Sequence, residues 1–291
     1  MFQGAYTALI TPFAKDESID EGAIRELVEM QITRGIAGLV PVGTTGESPT
    51  VTHDENIRIV EIVARQAGGR VPVIAGTGSN STQEAVDMTR RARDVGADAT
   101  LQVAPYYNKP NQEGFYRHFV KVADDGGLPV VVYNIPGRTG KNIENETMLK
   151  LAEHPGIVAV KEASGSLPQV MDLISAKPDN FDVLSGDDNL ALPIMLLGGT
   201  GVISVASNII PDRVSELVAA ALKGDLETAR RLHYALLPFF KAIFLDTNPI
   251  PIKYAMHLAG YAEEVFRLPM CAPSDDVRKR VKEILSDSSI L

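Results

Sequence analysis

Two hydrophobic rhythms alternate along the chain. Short runs rich in β-branched residues recur about every 25–35 residues, each followed by Gly, Pro, Thr or Asn and then by a segment with helical spacing. The runs are Ala5–Ile10, Ile36–Val42, Val71–Ala75, Ala99–Ala104, Val130–Tyr133, Ile157–Val160, Phe181–Leu184 and Val202–Val205. Between them, Glu21–Thr33, Glu55–Gln66, Gln83–Val95 and Phe115–Asp124 are amphipathic. Short apolar strands alternating with amphipathic helices predict βα units and a parallel sheet. Start signals agree: Thr52-x-x-Glu55 reads as a capping box, and Asn80-Ser81 and Asp212 suit N-caps.

Eight strands, each followed by a helix, predict an α/β fold of the (β/α)8 TIM barrel type. An open doubly wound sheet shares this periodicity. It lacks its main support here, because no Gly-x-Gly-x-x-Gly follows the first run. After Lys223 the strand pattern stops, and Leu226–Leu245, Ile250–Ala259 and Asp276–Leu285 read as helices. The expectation is a catalytic barrel over residues 1–224 and a C-terminal helical domain over residues 225–291.

Composition narrows the function classes. At 291 residues and 45% hydrophobic, the chain can bury a core without staples. A single cysteine, Cys271, excludes an internal disulfide and any Cys-based zinc site, which suits a reducing, cytoplasmic setting. The opening MFQGAYTALITPF has no basic segment and no long apolar run, so it reads as a strand rather than a signal peptide. No stretch approaches 18 uninterrupted apolar residues, so no membrane span is expected. A formal charge of −9 argues against a nucleic-acid partner, because neutralising phosphates needs a basic face.

In a barrel, chemistry gathers at the C-terminal ends of the strands. Those ends carry Gly43-Thr44-Thr45-Gly46-Glu47, Gly76-Thr77-Gly78, Pro105-Tyr106-Tyr107-Asn108, Tyr133 to Gly140, Lys161-Glu162, Ser185-Gly186-Asp187-Asp188 and Ser204 to Asn208. None of the five histidines lies there, so a catalytic metal is not expected. Gly198-Gly199 precedes the eighth run, where a phosphate cup would use the loops after the seventh and eighth.

Lys161 ends the run Ile157-Val158-Ala159-Val160. An ammonium held there loses solvation, which favours the neutral amine. A neutral amine in a dry site can attack a ketone to give an iminium, an electron sink; a lysine snorkelling out of the barrel mouth is the alternative. Hydroxyls of Tyr107, Tyr133, Thr44 and Thr45 stand at strand ends and can relay protons without adding charge, although a satisfied core or interface tyrosine is common. Arg138 lies in a Pro/Gly turn at the barrel mouth, where its guanidinium offers a fork for a carboxylate or is simply solvated. Asp187 and Asp188 read as caps of the next helix.

Taken together, these segments resemble the 4-hydroxy-tetrahydrodipicolinate (dihydrodipicolinate) synthase family of the Schiff-base-forming aldolases and lyases. The resemblance runs over nearly the whole chain through Gly43–Glu47, Ala75–Gly78, Pro105–Asn108, Tyr133–Gly140, Val160–Ala163, Leu184–Asp188 and Asn248–Lys253. It implies a barrel with a helical C-terminal domain, assembled as a homotetramer of two tight dimers. It implies a lyase without an external cofactor. Pyruvate condenses with Lys161, and the enamine attacks L-aspartate 4-semialdehyde to give 4-hydroxy-tetrahydrodipicolinate, the first committed step towards diaminopimelate and lysine. On this resemblance Tyr133 exchanges protons near the imine, and Thr44 links it to Tyr107, which reaches into the neighbouring subunit's site. Thr45 and the backbone of Ile203 hold pyruvate, Gly186 lines the pocket, and Arg138 orients the semialdehyde carboxylate. Relatives that cleave sugar acids share the lysine and the tyrosine but typically lack the arginine. A sibling pyruvate aldolase acting on a sugar acid is the nearest alternative reading, and a catalytically silent barrel the second. The resemblance further implies an inhibitory L-lysine site at the tight-dimer interface, formed by Ser48, Pro49, His53, Asn56, Gly78, Asn80, Glu84 and Tyr106. Two of these depart from the family's pattern: Pro49 stands where a small residue is common, and Asn56 where His or Glu is.

Overall fold

A computed structural model of the chain describes residues 2–287. Eight strands appear where the apolar runs place them: β1 (Gly4–Ala8), β2 (Gly38–Val40), β3 (Ile74–Gly76), β4 (Ala99–Val103), β5 (Val130–Asn134), β6 (Ile157–Glu162), β7 (Asp182–Ser185) and β8 (Gly201–Ser204). All pair in parallel, in the order β2-β1-β8-β7-β6-β5-β4-β3. A parallel bridge between Leu39 and Val73 joins the two ends, so the sheet closes on itself as a TIM barrel. The open-sheet alternative is thereby excluded.

The helices within the barrel are α1 (Glu21–Thr33), α2 (His53–Ala67), α3 (Thr82–Asp94), α4 (Gln112–Gly126), α5 (Pro136–Thr139), α6 (Asn145–Ala152), α7 (Leu167–Ala176), α8 (Ala191–Leu196) and α9 (Pro211–Leu222). Three more follow: α10 (Leu226–Ala242), α11 (Ile250–Leu258) and α12 (Asp275–Asp287). The capping box forms at α2, where the Thr52 and Glu55 side chains exchange bonds with each other's backbone amides. Ser81 caps α3. Asp212 does not cap α9; Ile210 occupies that position, with Pro211 opening the helix and Asp212 in its first turn. None of the described helices is long and apolar enough to cross a membrane.

Side chains inside the barrel, among them Tyr6, Val40, Ile74, Leu101, Val131, Tyr133, Leu184 and Ile203, form one apolar cluster. The largest cluster lies outside the sheet. It runs from Phe13, Ile24 and Leu27 through α2 and α9 to Leu232, Leu236 and Phe239 of α10, Ile252 and Met256 of α11, and Val281 of α12. The C-terminal helices therefore share a core with one side of the barrel.

The loop leaving β2 is tightly built. β2 ends at Val40, two residues before the predicted end, because Val42 adopts a left-handed φ of 53°. That conformation is uncommon for any L-residue and an outlier for a β-branched one. It turns the Val42 carbonyl towards β3, where a Cβ added to Gly76 would lie 2.2 Å from the oxygen. Only glycine permits that approach. Glu47, four residues after Gly43, is also left-handed, at φ 56°.

Candidate active site

Lys161 and Tyr133 are register partners on β6 and β5, so their side chains point the same way, into the barrel. Lys161 is only 4% exposed, and its Nζ lies 4.3 Å from the centre of the Tyr133 ring. Burial pushes the lysine's pKa down to about 8; nearby Asp187 and Asp188 resist that fall, and Arg138 adds to it. Burial likewise pushes the Tyr133 phenol well above its ordinary range, with Arg138 and a hydrogen bond to the Thr44 hydroxyl opposing and Asp187 reinforcing it. The site thus holds an amine with a sizeable neutral fraction near neutral pH beside a phenol that stays protonated.

Gly186 follows β7, and a side chain there would crowd Ala163 first and Lys161 second. A Cβ there would sit 2.7 Å from Ala163 Cβ and 3.2 Å from Lys161 Cε. Ile203 is fully buried on β8. Arg138, on the one-turn α5, is exposed at the mouth and donates to the Asn248 backbone carbonyl at 3.1 Å. Thr45 is buried, and its hydroxyl oxygen accepts a 3.0 Å bond from the Asn248 side-chain amide. With its acceptor side engaged, that hydroxyl is left to donate its own proton.

Tyr107 is not brought to this site within the chain. It is 90% exposed on the loop after β4, with a left-handed φ of 68°. The left-handed backbone there holds an aromatic side chain out in solvent, which is uncommon for a residue of this size.

Seven of the eight residues expected to hold L-lysine line one cavity of about 430 Å³: Ser48, Pro49, His53, Asn56, Gly78, Glu84 and Tyr106. Thr44, Ile135, Arg138 and Thr139 line the same cavity, whereas Lys161 and Tyr133 do not, so Thr44 stands between the two regions. Glu84 is already engaged, by His53 Nε2 at 2.7 Å and by the Ser79 hydroxyl. Asn80, the eighth residue, donates its side-chain amide to the Tyr106 carbonyl at 3.2 Å rather than facing the cavity. Asn56 donates to the Gly76 carbonyl at 3.2 Å, and its buried Oδ1 has no partner.

Beside Asp212, the structure corrects the reading of Asp187 and Asp188 as helix caps, Asp187 making no side-chain cap bond, and gives roles to further residues. Asp188 does not cap the helix that follows it. Its buried carboxylate reaches across to the end of β8, accepting from the Ser204 hydroxyl and from the Val205 and Ala206 amides at 3.0 and 3.1 Å. The reason is local: a side chain held inward at a barrel strand end meets unpaired amides of the neighbouring loop before those of its own helix. The Asp187 carboxyl lies within electrostatic reach of the lysine; burial raises its pKa and Lys161 opposes the rise. Asn248 couples Thr45 to Arg138 from outside the barrel strands. Glu47 and Lys253 form a fully buried ion pair at 2.5 Å. All of these fall in segments marked in the sequence, but only Lys253 had a signal of its own towards its partner, as a lysine inside the apolar stretch Ile250–Met256.

Known proteins share this arrangement from end to end. The chain matches the dihydrodipicolinate synthetase family over residues 1–288. It is 49% identical over all 291 residues, and over the whole of that protein, to a 4-hydroxy-tetrahydrodipicolinate synthase of Pelobacter propionicus. Among solved structures it resembles the chloride-inhibited dihydrodipicolinate synthase of Acinetobacter baumannii complexed with pyruvate, with a TM-score of 0.98, 42% identity and 100% of both chains covered. It also resembles the enzyme of Cyanidioschyzon merolae with lysine bound, with a TM-score of 0.96, 40% identity and 100% and 99% of the two chains covered. A closed parallel barrel with a buried lysine, matched over its full length at these identities, belongs to the dihydrodipicolinate synthetase family.

Proposed function

We propose that the chain condenses pyruvate with L-aspartate 4-semialdehyde, as a lyase of diaminopimelate and lysine biosynthesis, through a Schiff base on Lys161. The observation that carries this reading is the buried Lys161 amine, with a pKa near 8, beside Tyr133 hydrogen-bonded to Thr44. The neutral amine adds to the keto carbon of pyruvate, and loss of water leaves an iminium. Loss of a proton from the pyruvate methyl group gives the enamine, whose carbon attacks the aldehyde of the second substrate. The amino group of that adduct then adds to the iminium carbon and expels the lysine amine, closing the ring. The Tyr133 and Thr44 hydroxyls are suited to relay the protons lost and gained along this path, since they do so without adding charge to a buried site.

Around that centre, the Thr45 hydroxyl, free to donate, and the Ile203 backbone would hold the pyruvate end. Gly186 leaves room for the adduct, and the Arg138 fork takes the semialdehyde carboxylate. Tyr107 would complete the relay in the neighbouring subunit, which makes a tight dimer, and a homotetramer built from two of them, the working form. No external cofactor enters this scheme, since the imine itself is the electron sink. Residues 1–224 would carry the chemistry, with residues 225–291 as the helical domain that braces it. Borohydride reduction in the presence of pyruvate, followed by peptide mapping, tests the centre: the adduct is expected on Lys161. An adduct on another lysine, or none, would remove this mechanism. A coupled assay with both substrates tests the reaction, and efficient cleavage of a sugar acid instead would favour the sibling aldolase.

The cavity beside the site supports a second role, the binding of L-lysine as a feedback ligand. Glu84 offers a carboxylate for an ammonium group, and the cavity reaches Thr44 of the proposed relay.

A further inference from the structure

We propose that the Glu47–Lys253 ion pair is a positioning device for the reaction, by which the C-terminal helical segment holds Thr44 and Thr45 in working register with Tyr133. The inference rests on the reading that Lys161 forms the imine and Thr44 serves its proton transfers. Glu47 lies three residues after Thr44 in the strained loop that leaves β2. Its Oε1 accepts from Lys253 Nζ, both side chains being excluded from solvent. The same ammonium donates to the Val265 carbonyl at 2.8 Å and sits 4.3 Å from the Phe13 ring and 5.0 Å from the Phe266 ring. These contacts join the C-terminal segment to the loop and to Phe13.

Other contacts fasten the loop at nearby points. The Thr11 hydroxyl donates to the Gly46 carbonyl at 2.7 Å, and Asn248 donates to Thr45 at 3.0 Å. Arg267 binds Glu55 with two nitrogens, at 2.7 and 2.8 Å, at the start of α2. The loop is therefore tied at Thr45, Gly46, Glu47 and Glu55, three of these ties coming from residues after 245.

An ion pair is a poor choice if stability alone were the purpose. Desolvating both charges offsets most of their attraction, so an apolar pair of similar shape is often as stable or more so. What the pair adds is direction. A carboxylate accepting a single short bond fixes where the loop backbone lies, whereas two apolar chains in contact can slide. Glu47 Oε2 has no partner, so one bond carries the whole orientation. Displacing a reacting group by about 1 Å can cost on the order of a hundredfold in rate. The Tyr133–Thr44 contact sits one short peptide segment from this bond.

The test replaces both partners with an unbranched apolar side chain, Glu47→Met together with Lys253→Met, in the full chain. The double variant is expected to fold, with a melting temperature within a few degrees of the parent. Its kcat should fall by about tenfold or more, with KM for pyruvate changed by less than about threefold. In a Thr44→Val background the same pair of replacements should lower kcat by less than about twofold, because the group it positions is already gone. A folded double variant with parental kcat, or an equal fractional loss in the Thr44→Val background, would overturn the proposal. If the double variant does not fold, Glu47→Gln, which keeps the shape, decides by the same two readouts. Failure of the parent to trap pyruvate on Lys161 would be a different result, striking the functional reading rather than the role of the pair.

Discussion

Replacing Lys161 with methionine should abolish the chemistry and stabilise the protein. Burial lowers the lysine's pKa from 10.5 to about 8, so the folded chain holds its proton less tightly than the unfolded chain does. Between those two values the unfolded state binds more protons, and stability rises with pH. Below pH 8 both states are protonated and the full cost is present; above pH 10.5 both are neutral and the cost vanishes. At roughly 1.4 kcal/mol per pH unit, the burial of this amine costs about 3 kcal/mol at pH 7, about 2 at pH 9 and close to zero by pH 11. Methionine fills nearly the same volume without a charge, so the variant recovers most of that cost. Part of the gain is lost because Asp187 no longer has a cation beside it, although its carboxyl, already pushed up by burial, can take a proton instead. Denaturant unfolding of parent and variant at fixed protein concentration, at pH 7, 9 and 10.5, measures the difference. We expect Lys161→Met to be more stable at pH 7 by about 2–3 kcal/mol, with the advantage shrinking steadily as pH rises. A variant less stable than its parent at pH 7, or an advantage independent of pH, would refute the argument that this amine is held against its solvation. The same pKa should appear in the chemistry, as a rate of pyruvate trapping by cyanoborohydride that climbs with pH through about 8.

Arg138→Ala should lower kcat/KM for aspartate semialdehyde by about tenfold to a hundredfold while pyruvate trapping survives, because a charge-assisted carboxylate contact is worth roughly 1.5–3 kcal/mol; normal use of the aldehyde would show the wrong role. Gly186→Ala should slow trapping sharply, since the added Cβ meets Ala163 and Lys161 Cε, and titration with pyruvate reads the loss. Calorimetric titration of L-lysine into pyruvate-loaded protein should show sub-millimolar to millimolar binding with partial inhibition. Glu84→Ala should remove both while sparing turnover, and silence in the parent would mean that the cavity is only an interface feature.

The barrel was legible because parallel strands buried on both faces need continuous apolar runs, and such runs are visible locally. Their ends were less so. Val40 stops β2 early because Val42 turns left-handed, a state set by the contact with Gly76 and not by the valine. Lys161 and Tyr133 could be found from position alone, as polar residues at the ends of apolar runs. Asp188 was misread as a helix cap, since its partners at Ser204, Val205 and Ala206 are 16 to 18 residues away. Asn248 and Lys253 meet Thr45 and Glu47 from 203 and 206 residues further along the chain, a separation that no local pattern encodes. Tyr107 stands at a strand end in the sequence like Lys161 and Tyr133, yet its side chain turns outwards, because the left-handed φ after Tyr106 is a property of the loop and leaves no mark in the apolar pattern.

The closure of the sheet orders events during synthesis. Gly4 of β1 pairs with Gly201 of β8, so during synthesis β1 waits for nearly 200 residues before that edge is covered. At about 5–20 residues per second that wait lasts roughly 10–40 s, during which β1 and its neighbours expose unpaired backbone. Lys161 emerges within that interval, in water, with the ordinary basicity of a surface lysine and little tendency to capture cellular ketones. Its neutral form accumulates only once the barrel is sealed, and Asn248 and Lys253 arrive later still. In this way a nascent chain gains its reactive amine only when β8 has joined β1, and a chain truncated before β8 is expected to trap no pyruvate on Lys161.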